Sequence, residues 1–184
     1  MKKVVILAAL LLLSAGTAAG QTVGQVRIYS STVVRYCDDV TVPQTGLLSL
    51  YIVHSGHSGA LGVRFSAPKP ECAQMLFLND TQFFTTLGNS QTGVAVAYGA
   101  CLTAEVHVLT MNFFVQGGTS ACCTYPIVEF PGDPQGTVTV ADCAGNEASA
   151  LTYPRILNPN DACCECCLPV EESTWGRVKS VFAQ

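Results

Sequence analysis

Residues 47–66 read LLSLYIVHSGHSGALGVRFS, and a run of this kind leaves a chain few folds to choose from. Leu48, Leu50 and Ile52 share one face of an extended segment, with Ser49 and Tyr51 on the other. After a break rich in Gly, Ser and His, Leu61, Val63 and Phe65 alternate with Gly62, Arg64 and Ser66. Period two is the repeat of a half-buried strand, whereas a helix repeats near 3.6. The stretch predicts a β-hairpin or two consecutive strands at the centre of a sheet, turning at residues 55–59.

The same signal recurs along the chain. Residues 26–30, 75–78 and 82–87 are short apolar or alternating runs, and Val94, Val96 and Tyr98 alternate with Ala95, Ala97 and Gly99. Within residues 103–116, Val106 and Val108 set one parity and Leu109, Met111 and Phe113 continue on the other. Such a slip predicts a β-bulge, or a strand bending from one sheet toward another. Residues 127–130 lie between Pro126 and Pro131, residues 137–141 alternate again, and residues 151–157 carry Pro154. Proline cannot donate to a ladder, so the first and last of these belong at edges. About eight to ten short strands with turn residues between them predict an all-β fold, an antiparallel β-sandwich of Ig-like or jelly-roll-like type.

The ends are different. Lys2 and Lys3 precede an apolar run over residues 4–13 and then small residues to Gly20, the pattern of a secretory signal peptide over residues 1–20. That run is too short to span a bilayer, and no later segment is longer, so no membrane span is expected after signal removal. Losing Lys2 and Lys3 takes the formal charge from −4 to −6, which excludes the dense cationic footprint that nucleic acid needs. Residues 21–162 then form the β-sandwich domain and residues 163–184 a Cys-rich segment and tail, in a protein that is secreted, periplasmic or at the cell surface.

All ten cysteines follow the leader: Cys37, Cys72, Cys101, Cys122, Cys123, Cys143, Cys163, Cys164, Cys166 and Cys167. An even count in an exported chain is read as a disulfide framework. The expected pairs are Cys72 with Cys101, Cys122 or Cys123 with Cys143, and Cys37 with a tail cysteine, each closing a loop between neighbouring strands. The cluster from Cys163 to Cys167 has three readings: disulfides tying the C-terminus to the core, a zinc or copper(I) site, or a redox Cys-x-x-Cys. The βαβ context of a redox motif is missing, and the oxidising compartment favours disulfides.

Catalytic chemistry has little to start from. No Gly-x-Ser-x-Gly elbow, HExxH pair or Gly-rich phosphate loop is present, so no catalytic residue and no cofactor is expected. His54 and His57 either begin a metal site at their turn or simply make that turn polar, and His107 lies on a strand. Asp142, beside Asn146 and Glu147, is the better oxygen-ligand candidate, with Asp38 and Asp39 behind it. These two places define the alternative function, a metal- or carbohydrate-binding module. In the tail, Ser173 or Thr174 caps a short helix on which Trp175, Val178 and Phe182 share a face. That face either docks on a protein partner or folds back on its own domain.

The segments GVRFSAP, VADCAGNE, ILNPNDACCEC and ESTWGRVKSVF, in that order, resemble a group of uncharacterised secreted bacterial proteins. The resemblance covers most of the chain after the leader. It implies a compact β-domain closed by a Cys-x-Cys tail and a Thr-Trp-Gly-x-x-Lys terminus, and it brings no catalytic residue. The strand layout is also similar to cohesin-type sandwiches, an analogy of fold. Together these features predict an exported, non-catalytic structural or binding module of the cell envelope or extracellular space, docked through its tail.

Overall fold

The computed structural model describes residues 22–33 and 40–160. Twelve strands fall in chain order: β1 (Val23–Tyr29), β2 (Thr45–His57), β3 (Ala60–Phe65), β4 (Met75–Gln82), β5 (Thr85–Asn89), β6 (Gly93–Leu102), β7 (Val106–Gln116), β8 (Cys123–Tyr125), β9 (Thr139–Asp142), β10 (Glu147–Ser149), β11 (Leu151–Thr152) and β12 (Arg155–Leu157). They build two five-stranded sheets, ordered β11-β1-β2-β7-β4 and β10-β9-β3-β6-β5, and a two-stranded ribbon β12-β8. The fold is the all-β sandwich that the alternating runs predict. Ladder pairings are antiparallel except β1 with β11, which run parallel.

Between the sheets lies one apolar layer. Val26, Ile28, Leu50, Ile52, Leu109, Met111 and Phe113 from the first sheet meet Val63, Phe65, Val94, Val96 and Val140 from the second. The ribbon closes one side with Tyr125 and Leu157, both fully buried. Tyr125 keeps its hydroxyl satisfied there by donating to the Ala67 carbonyl at 3.0 Å. This is how a large aromatic with one polar atom enters a core without a penalty for an orphaned group.

The 47–66 stretch is two consecutive strands and not a hairpin. β2 and β3 belong to different sheets, and the chain crosses the sandwich at Ser58 and Gly59. What looked like a turn is the far end of β2, which stays paired with β1 as far as Val23↔His57. The parity slip near Leu109 is a bulge: β2·β7 pairing runs Ile52↔Leu109 and then Val53↔His107, leaving Val108 as the extra residue. A second irregularity between Ala60 and Gly62 turns Leu61 out of the face shared by Val63 and Phe65.

Two further expectations change. Residues 127–130 make one bridge, Ser66↔Val128, and no strand, because Pro126 and Pro131 leave too few donors for a ladder. Residues 151–157 divide into β11 and β12 around Tyr153 and Pro154, and β8 and β10 are short strands that alternation does not reveal. Asn158 holds this corner together in the left-handed conformation, with φ 48°. Its side chain accepts from Val42 N at 2.7 Å and donates to the Thr119 carbonyl at 2.9 Å. Its backbone N–H donates to Val40 and its carbonyl accepts from Cys122 N.

The cysteine pairing differs from the sequence expectation. Cys72 bonds Cys123, with Cα atoms 5.7 Å apart, and Cys101 bonds Cys143 at 5.3 Å. The expected Cys72–Cys101 pair fails because Cys72 precedes β4, at the edge of the first sheet, while Cys101 ends β6 in the second. Cys123 opens the ribbon and is buried beside Cys72, so it is unavailable to Cys143. Cys122 is also disulfide-bonded. Cys37, Cys163, Cys164, Cys166 and Cys167 lie outside the described residues.

Candidate functional site

The outer face of the second sheet is floored by small side chains. On β6, Val94, Val96 and Tyr98 point inward, leaving Ala95, Ala97 and Gly99 outward. Beside them Gly62 of β3 comes so close to β6 that an added Cβ would lie 2.4 Å from the Val96 carbonyl oxygen. Only glycine fits a backbone approach of that kind. Larger groups rise on both sides: Thr85, Thr86 and Leu87 from β5, and Arg64 with Glu147 from β3 and β10. The result is an open, mainly apolar trough of about 580 Å³. Leu87, 75% exposed, is its most solvent-facing apolar group.

Arg64 is held flat along one wall. Its Nε donates to Asp133 Oδ2, and its two terminal nitrogens donate to the two Glu147 carboxylate oxygens, each at 2.8 Å. Thr139 Oγ1 donates to the same Asp133 oxygen at 2.9 Å. The Arg64 hydrogen bond holds the Asp133 carboxyl below its usual range, and Asp133 first, Glu147 second, raise the guanidinium. A fork of this geometry fixes orientation as well as charge. One guanidinium against two carboxylates leaves the wall with a net charge of −1, with the cation fully paired.

The sequence-derived histidines do not meet at a surface turn. His54 is fully buried and His57 nearly so, with their rings stacked 4.1 Å apart. Paired glycines produce this. Gly24 and Gly56 face each other across β1 and β2 in the left-handed region, at φ 74° and 69°, which breaks the alternation and brings His57 round onto His54. His54 Nε2 donates to the Val23 carbonyl at 2.7 Å, so Nδ1 accepts from the Tyr98 hydroxyl at 3.1 Å. Both nitrogens of His54 are thereby committed. His107 is elsewhere, between Tyr51 and Phe83 on the first sheet, with its Nε2 3.0 Å from Thr110 Oγ1.

Asp142 is spent in the same sense. Its Oδ1 accepts from Ala144 N and Asn146 N, each at 2.8 Å, and its Oδ2 accepts from Asn146 Nδ2 at 3.0 Å. The Asn146 side chain leads the effects that hold this carboxyl low. It ties the β9–β10 turn, which is the structural use of Asp at such positions. Among the described residues no three His, Cys, Asp or Glu groups converge to hold a metal ion. His54 and His57 are stacked inside the fold and Asp142 ties its own turn, so the residues named for the metal- or carbohydrate-binding alternative do not converge on one another. Asp38 and Asp39 lie outside the described residues, as do Trp175, Val178 and Phe182 of the tail.

Sequence reading recognised the small-residue side of β6 but gave it no role. The missing information was that Gly62, three strands earlier in the chain, lies beside Ala97 in space.

No protein-family model and no curated protein sequence matches the chain. Solved structures do resemble it. The sixth cohesin of scaffoldin B from Acetivibrio cellulolyticus, solved in complex with a Cel5 dockerin, superposes with a TM-score of 0.51 at 12% identity, covering 74% of this chain and 98% of that one. A non-cellulosomal cohesin from the archaeon Archaeoglobus fulgidus gives 0.48 at 13% identity, covering 76% and 94%. A cohesin module of a Clostridium perfringens family 33 glycoside hydrolase gives 0.47 at 11%, covering 76% and 99%. The chain has a cohesin-like sandwich fold, as its strand layout suggests. At such identities the likeness is one of fold alone. No helix among the described residues is long and apolar enough to cross a membrane.

Proposed function

We propose that this chain is an exported, non-catalytic protein-binding module whose partner docks in the trough on the outer face of β10-β9-β3-β6-β5. The observation that carries the reading is the trough itself: a floor of Gly62, Ala95 and Ala97 beneath an exposed Leu87. Small side chains let a partner approach the sheet closely, and Leu87 supplies exposed apolar surface that docking would remove from water. The Arg64–Asp133–Glu147 wall sets a polar rim. The scaffoldin B cohesin, which shares the fold, was solved bound to a dockerin. The Cys72–Cys123 and Cys101–Cys143 disulfides suit an oxidising compartment and support export.

A pair of substitutions tests it. Leu87→Asp places a charge in the trough, while Leu47→Asp does the same at a residue equally exposed, at 74%, on the opposite sheet. Both change stability little, because surface positions contribute within about 0.5 kcal/mol. Capture of a partner from the culture medium or envelope fraction is expected to fall at least roughly 30-fold for Leu87→Asp, about 2 kcal/mol, and to persist for Leu47→Asp. Equal capture by both variants removes the trough from the account.

The tail carries a separate proposal, attachment of the module to a partner at the cell surface through Trp175, Val178 and Phe182. Deleting residues 171–184 is expected to release the protein into the medium while leaving its melting temperature unchanged. Unaltered location eliminates the docking role, and a lowered melting temperature assigns the tail to its own domain instead.

A further inference from the structure

The buried histidine pair sits beneath the one link between β2 and β3, and that link is gripped from two sides. On one side, Ser58 N donates to the Thr22 carbonyl at 2.9 Å, one residue beyond the His57↔Val23 pair. On the other, Gly59 packs against the Cys101–Cys143 bridge, where an added Cβ would lie 2.6 Å from Cys143 Sγ. β3 follows at once and supplies Leu61, Gly62 and Arg64 to the trough.

We propose that the His54–His57 stack is an acid-sensitive latch on this crossover, closed while both imidazoles are neutral and opened when they take up protons. Four features of the site support it. The rings are stacked at 4.1 Å, so a proton on each puts two like charges in van der Waals contact. His54 has no room for a second proton without turning the Tyr98 hydroxyl from donor to acceptor. Neither ring nitrogen of His57 makes a well-aligned hydrogen bond to a described residue. Among the described residues, no carboxylate is among the groups that act on either imidazole. β1 presents Val23 and Val26, and β6 presents Tyr98, whose hydroxyl burial pushes up. β7 presents Val106, preceded by the solvent-exposed Glu105, and Asp142 across from Ala60 is bound into its own turn.

The sign of the effect follows. Burial holds His54 down to about 4, against the proton-stabilising Val23 carbonyl and with a further lowering from His57. Burial also lowers His57, opposed by the Ala104 carbonyl. A base with a lowered folded-state value is neutral in the fold and is protonated first in the open chain. The latch therefore holds fully above about pH 6.5 and weakens as pH falls toward 4. Below that point both forms are protonated and no further loss accrues.

The test is amide hydrogen exchange on the full chain between pH 7.5 and 4.5, corrected for intrinsic rates, with side-chain imidazole resonances followed in parallel. The expected result is at least a tenfold loss of protection at Ser58 and Gly62 on acidification, with Met111 in β7 unchanged. His57→Gln, which keeps a polar side chain but cannot take a proton, is expected to abolish that pH dependence. Protection at Ser58 and Gly62 that is independent of pH, or that falls in step with Met111, overturns the latch. If His57→Gln fails to fold, the wild-type comparison of Ser58 with Met111 still decides.

Discussion

Replacing Cys101 and Cys143 together by serine is expected to lower the unfolding free energy by about 4 kcal/mol. The bridge closes a loop of sequence separation 42, and cross-linking a loop of that size removes this much entropy from the unfolded chain on the chain-entropy account. Neither cysteine is buried, so serine at both positions adds no cavity and no orphaned hydroxyl. The loss is therefore one of cross-linking. In a domain of this size it corresponds to a fall in melting temperature of roughly 10 °C. Urea denaturation of the double variant beside the wild type measures it. A change below about 1 kcal/mol would mean that the β6 end and the β9–β10 turn stay together in the unfolded ensemble without the bridge.

Phe113→Ala is expected to cost about 4 kcal/mol. Phe113 is fully buried on β7 and contacts two rings edge-on, Phe77 at 5.7 Å and Tyr125 at 6.3 Å. Truncation removes the buried area and both aromatic contacts, and it leaves a cavity that the flanking strands cannot close, because β7 is paired on both sides, to β2 and β4. Its chain neighbour Phe114 points to the outer face and is only partly buried. Phe114→Ala is expected to cost less than half as much, so the two substitutions measured together by thermal unfolding check the facing of β7 directly. A loss for Phe114→Ala as large as that for Phe113→Ala would contradict the inward facing of Phe113.

The strands were legible because their apolar residues repeat every two positions, and that repeat is local. Val94, Val96 and Tyr98 sit inward, as their alternation requires, and the parity slip near Leu109 is a real bulge. Which strand lies beside which is not local. Nothing between His57 and Ala60 distinguishes a hairpin turn from a crossing between sheets, since both need a short, flexible link. The glycines that stack His57 on His54 are 32 positions apart in the chain and act only when β1 and β2 pair. Disulfide partners failed for the same reason, because pairing depends on sheet order. Cys72–Cys101 was expected as a loop closure between neighbouring strands, and the layering of the sandwich sends Cys72 to Cys123.

The candidate site was legible in its materials and not in its assembly. Small residues on one side of β6 mark a face that no packed neighbour needs to fill. Only with Gly62 against Val96 and Leu87 beside Ala95 do they become a trough. His54, His57 and Asp142 drew notice as ligand types, yet each is used to shape the fold, two by stacking inside it and one by tying a turn.

Amide exchange of the full chain with and without its captured partner tests the docking account most directly. The prediction is new protection confined to residues 61–64, 85–87 and 95–97, with the opposite face unchanged at residues 47–51 and 112–114. Protection on the opposite face, with residues 61–64 and 85–87 exchanging as in the free protein, would contradict it.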